Sequence, residues 1–347
     1  MNISEFDYDL PKELIAQFPL ERRDNSRLLI IERESGKIIH SVFRELGNLL
    51  NPGDALVLND AKVKPVRLIG RIGEKEIDVL LVERIQKNQY LVKANPGKKL
   101  KPGTVIEFKD GHCYAVCLPV DKDKSRGMKL LEFTGKDDIE ASLDEIGLMP
   151  LPPYIKRAVE SDDANRYQTV YARNLGAIAA PTAGLHFTNE ILENLQKKNV
   201  QTIYLTLNVG LGTFTPVREE EIEKHKMHAE SFVLSEEAAK KIEQVKRSGG
   251  KICAVGTTAC RVLESCSTKT GSEIKMQAGD RETDIFIYPP FEFKVTDMLL
   301  TNFHLPKTTL LMLVCALAGK ELMMKAYQEA VKEKYRFFSY GDCMLIK

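Results

Sequence analysis

The pattern of hydrophobic and polar positions changes twice along the chain. Between residues 67 and 133 it consists of about six short segments separated by turns, with no long helical period. Residues 76–82, Glu-Ile-Asp-Val-Leu-Leu-Val, alternate partly between polar and apolar positions, as a strand with one buried face does. Such a series predicts a small antiparallel β-barrel or sandwich.

On both sides of this region, apolar strands alternate with amphipathic helices. Strands are predicted at residues 55–59, 177–180, 200–208, 251–255, 283–288 and 343–346. Helices are predicted at residues 188–198, 235–248, 257–265, 306–318 and 321–334. The alternation predicts a layered α/β (αβα) domain with helices on both faces. We therefore expect an α/β domain of residues 1–62 plus 150–347, interrupted by an inserted antiparallel β-barrel domain of residues 63–149.

Composition excludes several classes of protein. Apolar residues make up 43% and charged residues 29% of the chain, which fits a globular protein. No segment approaches the ~18 apolar residues of a membrane span, and the acidic N-terminus lacks the apolar core of a signal peptide. Seven cysteines without a CxxC pair suit the cytoplasm. The net charge of +1 leaves nucleic-acid binding open, because phosphate affinity needs only a local basic patch.

Small and polar residues follow several predicted strands. Ligands of α/β domains bind at the carboxyl ends of strands, so these loops predict one composite site. The loops contain Asn59 and Asp60, the segment 179–188 with His186, the segment 208–217 with Gly210 and Gly212, the segment 226–230 with His228 and Glu230, the segment 256–261 with Arg261, and the segment 301–306 with Asn302 and His304.

The individual residues have alternative interpretations. His186, between a strand end and a helix start, is well placed for a general base, but it could also be a hydrogen-bonded residue of a capping loop. His228 and Glu230 are two residues apart, so an extended strand would direct both to one face. Gly210 and Gly212 form only a weak dinucleotide signature, since no third glycine follows with a helix behind it.

Other catalytic signatures are missing from the sequence. It contains no GxxxxGK[ST], GxSxG or HExxH motif and no cysteine triad for an iron–sulfur cluster. Cys113 and Cys117 have no second pair of ligands nearby, so we predict buried side chains there and no metal site.

Several long segments closely resemble the S-adenosylmethionine:tRNA ribosyltransferase-isomerase family of queuosine biosynthesis. The most specific are Pro-Thr-Ala-Gly-Leu-His-Phe-Thr at 181–188 and Thr-Asn-Phe-His-Leu-Pro at 301–306. Further matching segments lie at residues 6–17, 26–29, 167–171, 209–214, 227–230 and 256–258. The resemblance extends over essentially the whole chain and implies an α/β domain interrupted by a β-barrel. Asn208 stands where the family usually has histidine, so no proton transfer is expected there.

The resemblance implies a transferase that moves and isomerises the ribosyl moiety of S-adenosylmethionine. The acceptor would be 7-aminomethyl-7-deazaguanine at the wobble position of tRNA, and the products would be epoxyqueuosine-tRNA, adenine and methionine. S-adenosylmethionine would be a consumed substrate, so we expect no cofactor and no metal. We further expect a cytoplasmic monomer whose partners are tRNA and S-adenosylmethionine, without membrane attachment.

That chemistry suggests roles for individual residues. The sulfonium acidifies the ribose 5′ carbon, and we predict His186 as the base that removes its proton. Asp60 or Glu230 would handle the amine, while His228 and His304 would assist adenine departure or bind the ribosyl group. Arg261 would bind the methionine carboxylate. Further substrate contacts are expected from Thr182, Gly184, Gly210, Gly212, Thr213, Thr257, Thr258 and Asn302, and tRNA contacts from Arg67, Arg71, Lys98, Lys99 and Lys101.

Two alternatives remain open at this point. A non-catalytic tRNA-binding adaptor of the same fold would not need three loop histidines. A small-molecule methyltransferase would be expected to have a glycine-rich cofactor loop and no inserted barrel.

Overall fold

The structure, a computed structural model, describes residues 1–111, 113–121, 125, 127–134, 138–210, 217, 219–271 and 273–347. The side chains of Lys99 and Asp110 lie outside this description. The chain forms two compact units: Met1–Lys62 with Pro153–Arg157 and Arg166–Lys347, and Val63–Pro152 with Ala158–Asn165. The domain limits expected from the sequence, 1–62 plus 150–347 and 63–149, stay a prediction.

The first unit contains a sheet of nine strands in the order β17-β13-β12-β3-β14-β18-β19-β1-β2. The strands are β1 (Arg27–Glu32), β2 (Lys37–Val42), β3 (Ala55–Asn59), β12 (Gln201–Leu207), β13 (Glu230–Leu234), β14 (Ile252–Val255), β17 (Gly279–Thr283), β18 (Met298–Asn302) and β19 (Cys343–Ile346). Strands β12, β3, β14 and β18 are parallel neighbours, so their carboxyl ends lie at one edge.

Both faces of this sheet are covered. Along β3, Ala55 and Val57 belong to one hydrophobic cluster, whereas Leu56 and Leu58 belong to a second cluster on the opposite face. The α-helices of the unit are α3 (Asn189–Lys197), α4 (Glu236–Arg247), α5 (Thr257–Cys266), α6 (Thr309–Ala318) and α7 (Lys320–Lys332). The strand order reverses at β3, whose neighbours β12 and β14 follow it in sequence on opposite sides. Crevices at such reversals are where α/β sheets bind ligands.

The second unit contains a closed antiparallel barrel in the order β10-β7-β6-β5-β8-β9. Its strands are β5 (Arg67–Ile72), β6 (Lys75–Gln86), β7 (Gln89–Asn95), β8 (Val105–Phe108), β9 (Cys113–Leu118) and β10 (Lys129–Thr134), and helix α1 (Ile139–Ile146) follows them. The remaining described elements are β4 (Ala61–Val63), β11 (Asn174–Ala177), β15 (Ser267–Thr270), β16 (Glu273–Met276), the short helix α2 (Asp163–Arg166), and 3₁₀ turns that include Thr182–His186.

The predicted α/β fold class with an antiparallel barrel is confirmed, with local differences. The strand predicted at 283–288 was wrong, since β17 ends at Thr283. The strand predicted at 177–180 was displaced, because β11 covers Asn174–Ala177. Helix α6 begins three residues later than predicted because Lys307 has a positive φ of 59° and Thr308 is the N-cap.

Candidate active site

A cavity of about 530 Å³ lies at the carboxyl ends of β14 and β18. Its size falls within the ~300–1,000 Å³ range of small-molecule sites. The described residues that line it contain no aspartate or glutamate. They come from four segments, 179–183, 209 with 217, 256–258 and 301–308 with 310. Five further lining residues are Pro153, Tyr154, Tyr167, Phe338 and Ser339.

Two helices begin at this cavity. Helix α5 starts at Thr257 directly after Gly256, whose φ of +88° is a conformation that side chains rarely adopt. Helix α6 has Thr308 as its N-cap, and the Thr308 hydroxyl accepts a hydrogen bond from Leu311 N at 3.3 Å. Free backbone N–H groups and the helix dipole make both ends favourable for an anion. The wall formed by residues 256–258 is therefore suited to a carboxylate.

Asn302, the last residue of β18, is held in a fixed orientation. Its Oδ1 accepts a hydrogen bond from Thr182 Oγ1 at 2.8 Å. Its Nδ2 donates to His186 Nε2 at 3.1 Å and to the carbonyl oxygen of Phe338 at 3.2 Å. Asn302 and Thr182 both line the cavity, so this network connects the cavity wall with the interior behind it.

His186 lies behind Asn302 and does not line the cavity. Because Asn302 donates to Nε2 of His186, the imidazole proton lies on Nδ1. Nδ1 is 2.7 Å from Ser26 Oγ and donates to it. The Ser26 hydroxyl in turn donates to the carbonyl oxygen of Arg23 at 3.2 Å. Burial lowers the pKa of His186 to about 3, and the charges of Arg23 and Arg336 contribute. With both nitrogens bonded to protein, the geometry favours a positioning role over the predicted role as general base.

His304, in contrast, is a lining residue. Its Nε2 is 3.1 Å from Thr301 Oγ1, and its backbone N–H donates to the Tyr327 hydroxyl at 3.0 Å. The Tyr8 hydroxyl donates to the His304 carbonyl oxygen. Burial lowers the pKa of His304 to about 3, so the imidazole is neutral near pH 7.

Asp60 lies outside the cavity lining, in a hydrogen-bonded cluster at the carboxyl ends of β3 and β12. Its carboxylate accepts from Thr206 Oγ1 at 2.6 Å and from Asn174 Nδ2 at 3.1 Å. Its backbone carbonyl accepts from Arg173 N at 2.8 Å. Only 5% of the residue is exposed, so its hydrogen-bonding capacity is used within the protein. The predicted contact with the substrate amine has no geometric support here.

Glu230 and Arg261 form a buried ion pair outside the cavity. Arg261 also donates to Ile285 O at 3.2 Å and Thr283 O at 3.4 Å, and Glu230 accepts from Gly210 N at 3.2 Å. Because the guanidinium already has a carboxylate partner, the predicted binding of the methionine carboxylate by Arg261 is not supported. The pair instead fixes residue 210.

The predicted pairing of His228 with Glu230 was wrong, since β13 begins only at Glu230 and His228 is exposed, whereas Glu230 is buried. Gly184 has a packing role, because a Cβ there would lie 2.0 Å from the Tyr171 hydroxyl oxygen. Gly212 and Thr213 lie outside the described residues.

The sequence model of the family described as "Queuosine biosynthesis protein" matches residues 3–346. The chain belongs to this family. It is 51% identical to the S-adenosylmethionine:tRNA ribosyltransferase-isomerase of Acetivibrio thermocellus and 49% identical to that of Halothermothrix orenii, each over 100% of both proteins.

A solved structure agrees with this membership. The crystal structure of S-adenosylmethionine tRNA ribosyltransferase from Thermotoga maritima is 40% identical and has a TM-score of 0.56, covering 99% of this chain and 100% of that one. The resemblance deduced from the sequence is therefore confirmed. The curated relatives of this queuosine biosynthesis protein are named as enzymes, which favours catalysis over the adaptor function.

The sequence analysis missed several residues of the candidate site. Tyr154 and Phe338 line the cavity with ring centroids 4.3 Å apart, and the Tyr154 hydroxyl is 2.6 Å from Ser339 Oγ. Phe338 has a φ of +71°, which is rare for a bulky residue and often marks a functional position. Ser26 was not recognised as the partner of His186. No local motif signals these contacts, because the partners are more than 150 residues apart.

The basic residues predicted to bind tRNA lie on the barrel unit. Arg67 forms an ion pair with Asp78 at 2.7 Å, which offsets its charge. Arg71 is exposed, and its register partners on both neighbouring strands are glutamates, Glu76 and Glu107. Lys98 and Lys101 are exposed. Lys98 and Lys101 therefore remain better candidates for phosphate contacts than Arg67.

No helix among the described residues is long and apolar enough to cross a membrane. Within the same part of the chain, no cluster of three or more His, Cys, Asp or Glu residues has the arrangement of a metal site.

Proposed function

We propose that this chain transfers and isomerises the ribosyl moiety of S-adenosylmethionine onto 7-aminomethyl-7-deazaguanine at the wobble position of tRNA. The products are epoxyqueuosine-tRNA, adenine and methionine. S-adenosylmethionine is consumed, so the reaction needs no separate cofactor. The partners are tRNA and S-adenosylmethionine, and the protein acts as a monomer in the cytoplasm.

The observation that carries this proposal is the cavity at the ends of β14 and β18. It combines two helix N-termini, a fixed amide on Asn302 and a neutral imidazole on His304 with aromatic walls. Aromatic faces attract a cation such as a sulfonium, and they also stack on adenine.

The methionine carboxylate binds at the N-terminus of α5, where Thr257 and Thr258 line the cavity. This arrangement replaces Arg261 as the carboxylate site. The Thr258 hydroxyl also lies 3.4 Å from Asn59 Nδ2, which ties this wall to the end of β3.

His304 performs the proton transfer of the reaction. Such a transfer is needed when the ribose 5′ proton is removed and when adenine departs. It is neutral and lines the cavity, whereas His186 acts through Asn302. Thr182 keeps the other end of the Asn302 amide in place. Asp60, Glu230 and Arg261 support the loops around the site.

The decisive assay incubates the protein with S-adenosylmethionine and tRNA carrying the aminomethyl base. The expected products are free adenine and methionine in equal amounts. S-adenosylhomocysteine instead would indicate methyl transfer, and the absence of any product would favour the adaptor. The same tRNA without the aminomethyl group is the control, and it should release no adenine.

A further inference from the structure

The segment of residues 17–21, Gln-Phe-Pro-Leu-Glu, has no regular secondary structure and is held by three arginines. Each guanidinium donates to main-chain carbonyl oxygens of the segment. The hydrogen bonds are Arg157 Nε to Gln17 O at 3.0 Å, Arg336 Nη2 to Phe18 O, and Arg166 to Glu21 O at 3.1 Å and to Leu20 O. A carbonyl oxygen carries no formal charge, so these hydrogen bonds leave the positive charges of Arg166 and Arg336 in place.

Arg166 and Arg336 each have a donor atom that no described protein atom accepts from. Several arginines of the chain form ion pairs, among them Arg27 and Arg261, but the described residues contain no carboxylate at ion-pair distance from Arg166 or Arg336. Arg166 Nε and Arg336 Nη1 are buried and have no protein acceptor among the described residues. Buried donors without acceptors are uncommon, and they suggest that another partner is bound in the working complex.

Phe18 projects from the middle of this segment. Half of it is exposed, and the guanidinium carbon of Arg157 lies 4.5 Å from its ring centroid. A single exposed aromatic residue is common on protein surfaces and alone has no meaning. An exposed ring on a segment bound by two arginines without a carboxylate partner among the described residues, Arg166 and Arg336, is, however, a combination with which proteins bind unpaired RNA bases.

The segment is connected directly to the candidate active site. Gln17 Nε2 donates to Tyr154 O at 3.0 Å, and Tyr154 lines the cavity. Arg166 lines a small hollow together with His186 and Ser339, and Ser339 also lines the cavity. Phe18 therefore lies in the neighbourhood where the nucleotides on either side of a bound wobble base must run.

We propose that Phe18 stacks on an unpaired nucleotide next to the modified base, while Arg166 and Arg336 bind the adjoining phosphates. The proposal rests on the proposed function, since tRNA is the substrate there. It names the single-stranded anticodon loop as the occupant of this surface. The backbone hydrogen bonds serve to fix the guanidiniums before the RNA arrives.

The test measures adenine release at saturating S-adenosylmethionine while the concentration of an anticodon stem-loop with the aminomethyl base is varied. Loss of a stacked base costs about 1–3 kcal/mol, which corresponds to roughly a 5- to 150-fold rise in KM for the RNA. Phe18→Ala should show this rise with kcat within about twofold of the unchanged protein. Phe18→Trp should restore the original KM, because it keeps an aromatic face.

The control variant is Ile39→Ala, which removes another exposed apolar side chain, on the edge strand β2. It should leave KM for the RNA unchanged. Arg166→Gln should raise that KM and also flatten its dependence on salt, whereas Phe18→Ala should leave the salt dependence unchanged. A surface that attracts RNA by charge alone would respond to Arg166→Gln and not to Phe18→Ala.

An unchanged KM in Phe18→Ala, with normal adenine release, overturns this proposal and leaves the proposed function intact. If the unchanged protein releases no adenine at all, the proposed function fails, and the surface is tested by equilibrium binding of the same stem-loop. Equal dissociation constants for Phe18→Ala and the unchanged protein would then overturn the surface as well.

Discussion

Two regions of the sheet look equivalent in the sequence but differ in the structure. One is the carboxyl ends of β3 and β12, and the other is the carboxyl ends of β14 and β18. At the first pair, Asp60 is enclosed by Thr206 and Asn174. At the second pair, Asn302 and His304 line a cavity of about 530 Å³. Both regions have polar residues after buried strands, and in the second region these residues line a space that a ligand can enter.

The comparison shows that a polar residue at a strand end is a weak indicator of a binding site. What distinguishes the two regions is whether the hydrogen bonds of these residues are satisfied within the protein. The Asp60 carboxylate accepts from two side chains, and Glu230 is paired with Arg261. Removing one partner of such a buried pair is costly, because the remaining polar group stays buried with a hydrogen bond lost.

The largest effect that would sharpen this contrast is expected from His304→Ala. Removal of an acid–base group lowers turnover by about 10²–10⁴-fold. We expect a loss in that range in kcat for adenine release, with the thermal midpoint of unfolding little changed. Asp60→Asn is the matched variant at the enclosed cluster, and its kcat should fall only a few-fold. Equal losses in the two variants would remove the distinction between the regions.

The second effect concerns the stability of the enclosed region. Arg261→Met removes the positive charge that is paired with the buried Glu230 carboxylate, which should lower the free energy of unfolding by about 3–5 kcal/mol. The double variant Arg261→Met/Glu230→Leu should recover much of this loss, because no charge remains buried. Urea denaturation measures both. At a temperature where Arg261→Met is folded, we expect its KM for S-adenosylmethionine to equal that of the unchanged protein. A large rise in this KM would indicate that Arg261 does bind the methionine carboxylate.

The third effect is the pH dependence of stability from the two buried histidines, which is small for each histidine within one pH unit. Both His186 and His304 have pKa values lowered by burial to about 3. Between the ordinary pKa near 6.5 and about 3, the unfolded chain binds protons that the folded chain does not, so stability falls as pH falls. Each histidine contributes up to about 1.4 kcal/mol per pH unit in this window.

The contribution of one histidine is isolated by His186→Gln. Its stability, measured by urea denaturation at several pH values between 7.5 and 4.5, should fall less steeply with pH than that of the unchanged protein. Identical slopes would mean that His186 is accessible to protons in the folded state, and the buried network with Ser26 and Asn302 would then be wrong.

Much of the fold followed from local patterns. The six barrel strands and β3, β14 and β19 could be predicted because a strand of alternating or continuous apolar residues bounded by turns depends only on neighbouring positions. Helix α3 was predicted at residues 188–198, and in the structure the Thr188 side chain caps it by accepting a hydrogen bond from Ile191 N at 3.2 Å. Asn302 and His304 were also recognised as site candidates.

The distribution of roles could not be predicted, because it depends on contacts between distant segments. His186 looked like a base until its partners, Ser26 and Asn302, were known, and these lie 160 and 116 positions away. Likewise, Thr206 reaches Asp60 because β12 pairs with β3, and Asn174 is supplied by a further distant strand, β11. The pairing of distant strands decides which polar residues remain open to a ligand.

A crystal structure of the protein with S-adenosylmethionine bound would test the proposed binding site directly. We expect density for the ligand in the cavity at the ends of β14 and β18. The methionine carboxylate should lie within hydrogen-bond distance of the backbone N–H groups of Thr257 or Thr258, and the ribose should lie beside His304. Density against Asp60 and Thr206, with the cavity between β14 and β18 empty, would contradict it.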